Sequence, residues 1–199
     1  MKLNKIFFDL DLNWINNINV NLSAVERRTS TLVKRRSVKK EYQASWLLKA
    51  ITLIDLTTLS GDDTFGKVDR LCKKALNPIA NNILSKLEIN EDAVKVGAVC
   101  VYHHLVSQAK NQLKGQLPIA AVSTGFPAGL SSFSTRKKEV VDSIKSGANE
   151  IDIVINRGFV IQNNWKKLYE EVKSFKLAAN KIKIKAILGV GDLETMRNV

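Results

Sequence analysis

From Ile51 onward the chain reads as short β-branched runs separated by longer segments whose apolar residues recur every three or four positions. "ITLIDLTT" leads into "DTFGKVDRLCKKAL", "VGAVCVY" into "HHLVSQAKNQLKG", "PIAAVST" into "STRKKEVVDSIKSG", and "EIDIVIN" into "NWKKLYEEVKSFKLAAN". A fifth run, "KIKIKAILGV", precedes "GDLETMRNV", which reads as the start of another helix. Parallel strands cannot be joined by tight hairpins and need crossovers, usually helical. Strict alternation therefore predicts a parallel α/β sheet of five strands.

Two helices are predicted ahead of the sheet. "LSAVERRTSTLVKR" places Ser23 three residues before Glu26, the spacing of a capping box, with Val25, Leu32 and Val33 at helical intervals. A second helix is expected after Ser37 through "VKKEYQASWLLKA", carried by Tyr42, Trp46 and Lys49 or Ala50. The expected division is a basic helical extension over residues 1–50 and a β/α domain over 51–199.

Successive side chains of a strand point to opposite faces, so parity sorts each predicted strand. Ile151, Ile153 and Ile155 share one face, and Glu150, Asp152, Val154 and Asn156 the other. Ile54 and Leu56 oppose Leu53, Asp55 and Thr57, while Val99 and Val101 oppose Ala98, Cys100 and Tyr102. In the fifth run Ile182, Ile184 and Ala186 oppose Lys181, Lys183 and Lys185. An aliphatic face for helices backed by a face carrying Asp55, Cys100, Asp152 and Lys185 fits a β/α barrel with an interior site. An open doubly wound sheet would favour aliphatic residues on both faces. The expected fold is thus an incomplete TIM-type β/α barrel, five of the usual eight units.

The chain holds 31 Lys and Arg against 19 Asp and Glu, a formal charge of +12. Residues 1–50 contribute ten of the former and four of the latter, with Arg27, Arg28, Lys34, Arg35, Arg36, Lys39 and Lys40 close together. Solvated helix faces account for such a run, and attraction to phosphorylated metabolites or RNA is the alternative. No ribonucleoprotein motif, zinc finger or basic zipper is present, so sequence-specific nucleic-acid recognition is not expected. Cys72 and Cys100 make no disulfide framework or zinc spacing, and Asp9 and Asp11 break the first apolar stretch. A cytoplasmic protein without a membrane span is expected. Neither phosphate-loop nor dinucleotide glycine motifs occur, and "GVGD" at Gly189–Asp192 reads as a tight turn.

An acid and an amine facing one cavity suggest carbonyl chemistry, in which a lysine condenses with an aldehyde and a carboxylate moves protons. Asp152 is the candidate acid–base, its alternative being a buried carboxylate satisfied by an ion pair or amides. Asp55 either holds a lysine charged, positions a water, or caps the following helix. Lys185 becomes nucleophilic only if apolar neighbours lower its pKa. Cys100 reads as a small core residue, and His103 and His104 as loop or surface residues rather than metal ligands.

"VKKEYQASWLLKAITLIDLTTLSGDDT", "AAVSTGFPAG", "GANEIDIVINRG" and "IKAILGVGDL" together resemble the deoxyribose-phosphate aldolase family, particularly its animal-type members with an N-terminal extension. The resemblance implies a class I aldolase that needs no metal or organic cofactor. It would cleave 2-deoxy-D-ribose 5-phosphate to glyceraldehyde 3-phosphate and acetaldehyde through a lysine Schiff base. It further implies Asp152 as proton relay, Asp55 as supporting acid, Lys185 as an amine lining the site, and Cys100 and Thr57 beside the substrate. The family's Schiff-base lysine lies on a sixth strand, and no such motif occurs among these residues. "VYHHL" and "GVGD" also depart from the family's usual Tyr-Pro and Thr-Gly-Glu. The expectation is a chain cut short after the fifth β/α unit and inactive by itself. It would bind a phosphorylated sugar if completed, or pair with a complementary half-barrel or a second copy.

Overall fold

The computed structural model describes residues 8–35 and 38–199. Five parallel strands form one sheet in sequence order: β1 (Asp55–Thr57), β2 (Ala98–Tyr102), β3 (Ile119–Ser123), β4 (Glu150–Val154) and β5 (Lys183–Ile187). Each strand pairs only with its neighbours in the chain, which is the strand order of a barrel wall rather than of a doubly wound sheet. The register sets Thr57 against Cys100, Cys100 against Ala120, Val122 against Asp152, and Asp152 against Lys185.

Helices cover one face. α4 (Phe65–Leu76) begins where Thr64 Oγ1 accepts the Lys67 amide, and it buries Val68, Cys72 and Ala75 at four- and three-residue steps. α5 (Asn81–Lys86) follows, and α6 (Val106–Leu113) buries Val106, Ala109 and Leu113. α7 (Phe133–Ser146) starts on Ser132, whose hydroxyl accepts the Thr135 amide, and stops at Gly147, whose φ of +107° suits a left-handed C-cap. After β4 come α8 (Arg157–Ile161) and α9 (Trp165–Ala179). Against these helices pack Val99, Val101, Ile119, Ala121, Ile151 and Ile153, the set that parity assigned to the helix side for β2 and β4. Leu56, Ile182 and Ile184 extend the same core toward its edges.

An ion pair is buried within this layer. Arg136 of α7 donates to both carboxylate oxygens of Glu171 on α9, at 2.9 and 2.5 Å, and its Nε donates to the Ser131 carbonyl. Its guanidinium also lies over the Phe175 ring. The pair fixes the relative register of α7 and α9 and ties both to the loop after β3.

Ahead of the sheet lie α1 (Leu12–Asn16), α2 (Leu22–Leu32) and α3 (Lys40–Ile51), none of which contains a fully buried residue. Several expectations are corrected here. Asn21, not Ser23, caps α2, its side chain accepting the Ala24 amide, so the capping-box spacing at Ser23 and Glu26 falls inside the helix. α3 runs through Ile51, and the first strand is therefore only Asp55–Thr57. Ser37, the expected start of that helix, lies outside the described residues. "GDLETMRNV" forms a single 3-10 turn at Val190–Asp192 and no helix. His103–Leu105 is likewise a 3-10 turn leading into α6. Among the described residues no helix is long and apolar enough to cross a membrane.

Candidate active site

The face of the sheet away from the helices gathers the polar residues that parity singled out. Lys185 Nζ lies 2.6 Å from Asp55 Oδ2, 2.8 Å from Glu150 Oε1 and 2.9 Å from Asp152 Oδ2. β4 supplies two of the carboxylates because Glu150 and Asp152 are two residues apart and point the same way. Asp55 comes from the opposite edge of the sheet. The three carboxylates have oxygens within 4.8 Å of one another, a geometry suited to a cation, and the Lys185 ammonium is the cation they hold.

The four groups differ in exposure, and this differentiates their chemistry. Asp152 is buried, with only 5% of its side chain accessible, whereas Lys185 retains 44%. Burial pushes the Asp152 carboxyl above its ordinary pKa, against the hydrogen bond and charge of Lys185, while Glu150 and Asp55 add to the rise. For Lys185 burial acts to lower the pKa, but the hydrogen bonds it donates to Asp55, Glu150 and Asp152 outweigh it and hold the amine well above the usual lysine value. The two rises are consistent. Three carboxylates share the work of stabilising one ammonium, while Asp152 alone bears nearly complete desolvation. Lys185 is thus a fixed positive charge, and the condition for a nucleophilic amine, apolar neighbours that lower its pKa, is not met.

Asp152 Oδ1 is buried and has no hydrogen-bond partner among the described residues. Lys185 thus engages Oδ2 and leaves the lone pairs of Oδ1 unused. Cys100 Sγ lies 3.8 Å from Asp152 Oδ2, and burial, then the Asp152 charge, push its thiol up to about 12. Cys100 is therefore a protonated wall residue. Thr57 stands beside it in register, with Oγ1 donating to the Asp55 carbonyl. Tyr102, Phe126, Leu59 and Ile187 pack on Cys100, Ala120 and Val122 and make an apolar border to the charged group. The Tyr102 and Phe126 rings meet edge to face with centroids 5.9 Å apart. His103 is half-buried and His104 exposed; His104 stacks on Tyr102 and meets the His103 ring edge to face.

The loop after β3 is held from two sides. Thr124, at φ +59°, donates through Oγ1 to the Val154 carbonyl and accepts the Val154 amide, extending the β3–β4 pairing by side chain. The Gly125 amide donates to Glu139 Oε2 on α7 at 2.7 Å. At Gly129, φ +73°, a Cβ would meet Val154 Cγ1 at 3.0 Å, so the loop's return over β4 needs glycine. Arg157 pairs with Asp192 at 2.9 Å and joins the loops that leave β4 and β5.

Sequence reasoning brought Asp55, Thr57, Cys100, Asp152 and Lys185 to one face, and the structure gathers all five there. It missed Glu150 as a partner of Lys185, although its parity with Asp152 was the available signal. Phe126 was also missed, because a loop residue carries no parity.

The strand order, the helix-covered outer face and the charged group on the inner one are those of a β/α-barrel wall. The model of the DeoC/LacD family aldolases matches residues 49–194, and the chain belongs to that family. It is 48% identical to the deoxyribose-phosphate aldolase of Mus musculus and 46% to that of Homo sapiens, each over 96% of this chain. The chain spans 61% of the length of these relatives. Among solved structures, one from Coccidioides immitis matches with a TM-score of 0.64 at 22% identity, over 92% of this chain and 66% of that one. A tetrameric deoxyribose phosphate aldolase from Aeropyrum pernix matches with a TM-score of 0.51 at 19% identity, over 72% of this chain and 54% of its own. These likenesses show the shared fold.

Proposed function

We propose that this chain carries the acid–base half of a deoxyribose-phosphate aldolase site. The observation that carries the proposal is the buried Asp152, one oxygen fixed by Lys185 and the other unpaired. In that reading Asp152 relays the proton between water and the carbon that gains or loses it, and Lys185 holds the relay in place through Oδ2. Asp55 and Glu150 keep Lys185 charged, and Cys100 and Thr57 border the substrate. The reaction is the reversible cleavage of 2-deoxy-D-ribose 5-phosphate to glyceraldehyde 3-phosphate and acetaldehyde, with no cofactor and in the cytoplasm. An ammonium cannot form a Schiff base, so the nucleophilic amine comes from an element outside these five strands. A polypeptide of these 199 residues is then inactive by itself.

The test is to incubate that polypeptide with acetaldehyde, reduce with borohydride, and map lysine adducts by mass spectrometry alongside a retro-aldol assay. No stoichiometric adduct and no turnover are expected. A stoichiometric adduct on Lys185 would overturn the assignment of that residue as a fixed charge.

A further inference from the structure

The second half of α2 carries two arginines for which the fold supplies no acid. Arg27 and Arg28 are exposed, and among the described residues no carboxylate pairs with either guanidinium. Other arginines are engaged: Arg136 with Glu171, Arg157 with Asp192, and Arg35 with Thr31 Oγ1 through both Nε and Nη2.

The residues that follow the two arginines all bear hydroxyls. Thr29, Ser30 and Thr31 each donate to the carbonyl three residues back, those of Glu26, Arg27 and Arg28, at 3.0, 3.0 and 2.7 Å. Such bonds compete with the helix's own amide–carbonyl ladder. α2 contains no fully buried residue, and it ends on Val33 in a right-handed conformation rather than on a left-handed C-cap. Few tertiary contacts therefore oppose the opening of this turn, and the exposed Ser30 hydroxyl gives up only a bond within its own helix.

Charge sets Ser30 apart from its neighbours. It has guanidiniums both two and three positions before it, whereas Thr29 has Glu26 at three and Thr31 has the uncharged Thr29 at two. In an extended chain those positions lie about 7 and about 10 Å from the serine. A guanidinium is always charged and forks onto a carboxylate through parallel hydrogen bonds, so two in succession suit a partner with two acidic pockets. A hydroxyl at a fixed distance from both points to an enzyme rather than a polyanion, which needs cations but no nucleophile.

We propose that Ser30 is a phosphorylation site for an arginine-directed serine/threonine protein kinase, with Arg27 and Arg28 as the cations it recognises. Ser30 Oγ forms a bond to the γ-phosphorus of a nucleoside triphosphate, and the bond from that phosphorus to the bridging β-phosphate oxygen breaks. The hydroxyl proton passes to a carboxylate of the kinase, and the nucleoside diphosphate leaves. The phosphate carries a charge of about −1.5 to −2 at neutral pH. It is set against Arg27, Arg28, Lys34 and Arg35 in a stretch whose single acid is Glu26, and so removes about half or more of the net positive charge of residues 22–35.

The experiment is to incubate the 199-residue chain with ATP, magnesium and an arginine-directed kinase, and to map phosphate by fragmentation mass spectrometry. One phosphate on Ser30 is expected. Arg27→Ala and Arg28→Ala should each slow its transfer by about tenfold or more at limiting chain concentration. Both side chains are exposed, so the variants keep the fold, which matching circular dichroism checks. A kinase directed by acidic residues, run in parallel, should leave Ser30 unmodified. Ser37, which follows Lys34, Arg35 and Arg36, is the internal competitor. No transfer to Ser30, transfer to Ser37, Thr29 or Thr31 in its place, or transfer indifferent to both arginines overturns the proposal.

Discussion

Lys185 on the last strand and Asp55 on the first lie 2.6 Å apart, across the full width of the sheet. Four strand spacings of about 4.8 Å would separate β1 from β5 by about 19 Å in a flat sheet, beyond the combined reach of the two side chains. The contact therefore requires the sheet to curl, whereas Glu150 and Asp152 reach the ammonium from the neighbouring strand, Asp152 directly in register with Lys185. The Asp55–Lys185 contact thus ties the two edges of the curled sheet together across its interior face.

Replacing Lys185 by Met is expected to destabilise the fold by about 1–3 kcal/mol, after allowing for the solvent screening of a half-exposed amine. The folded pKa of Lys185 is raised, so its contribution is complete below the unfolded value near 10.4 and is lost only as pH rises through the folded one. Urea denaturation from pH 7 to 9.5 should accordingly show an unchanged deficit. A deficit that disappears within this range would mean the ammonium is not held as described.

Thr124→Val keeps the shape of the side chain but removes the acceptor of the buried Val154 amide. A cost of about 1–3 kcal/mol is expected, with Thr124→Ser recovering most of it. Equal losses for both variants would show that methyl packing, and not the hydrogen bonds, holds the end of β4.

The buried Arg136–Glu171 pair makes an asymmetric prediction. Glu171→Gln or Arg136→Met alone strands a buried charge and should cost about 3–5 kcal/mol, whereas a double change to Met and Leu should cost much less. Denaturant midpoints of the three variants measure the difference. Additive losses would show that the two residues act independently.

Neither cysteine should react readily in the native protein. Cys100, pushed up to about 12, and Cys72, pushed up to about 11 by burial and the nearby Asp69, have negligible thiolate at pH 8. Unfolded cysteines are about a quarter ionised at that pH. A colorimetric thiol reagent should therefore report slow labelling that follows unfolding. Rapid native labelling of Cys100 would show that the interior face is wetter than the structure indicates.

The fold and most of the site could be read from the residues because parity is a local rule. Ile151, Ile153 and Asp152 declare their faces whatever the rest of the chain does, and Cys100 and Lys185 follow in the same way. Other features depended on competition between neighbours. Ser23 and Asn21 were both competent caps, and Asn21 prevailed by accepting the Ala24 amide. "ITLIDLTT" mixed helical and strand periodicities, and α3 took Ile51, which reaches the core from the helix. That Asp55 would reach Lys185 from the far edge depended on the curl of the sheet. No single strand encodes that.

The position of Asp152 sets a pH dependence of defined sign. Its folded pKa is raised from 3.8, chiefly by burial, so the folded chain binds this proton more tightly than the unfolded one. Its contribution to stability is complete below the unfolded value and is lost as pH rises from 3.8 through the folded pKa. Asp152→Asn removes that titration while retaining a neutral side chain of the same shape. The stability of the original chain minus that of the variant should therefore fall as pH rises from 4 to 7, with the fall reported by urea denaturation at each pH. A difference that grows over this range would mean that Lys185 more than compensates the burial of the carboxylate. Asp152 would then be locked as an anion and unsuited to accept and return a proton near neutral pH.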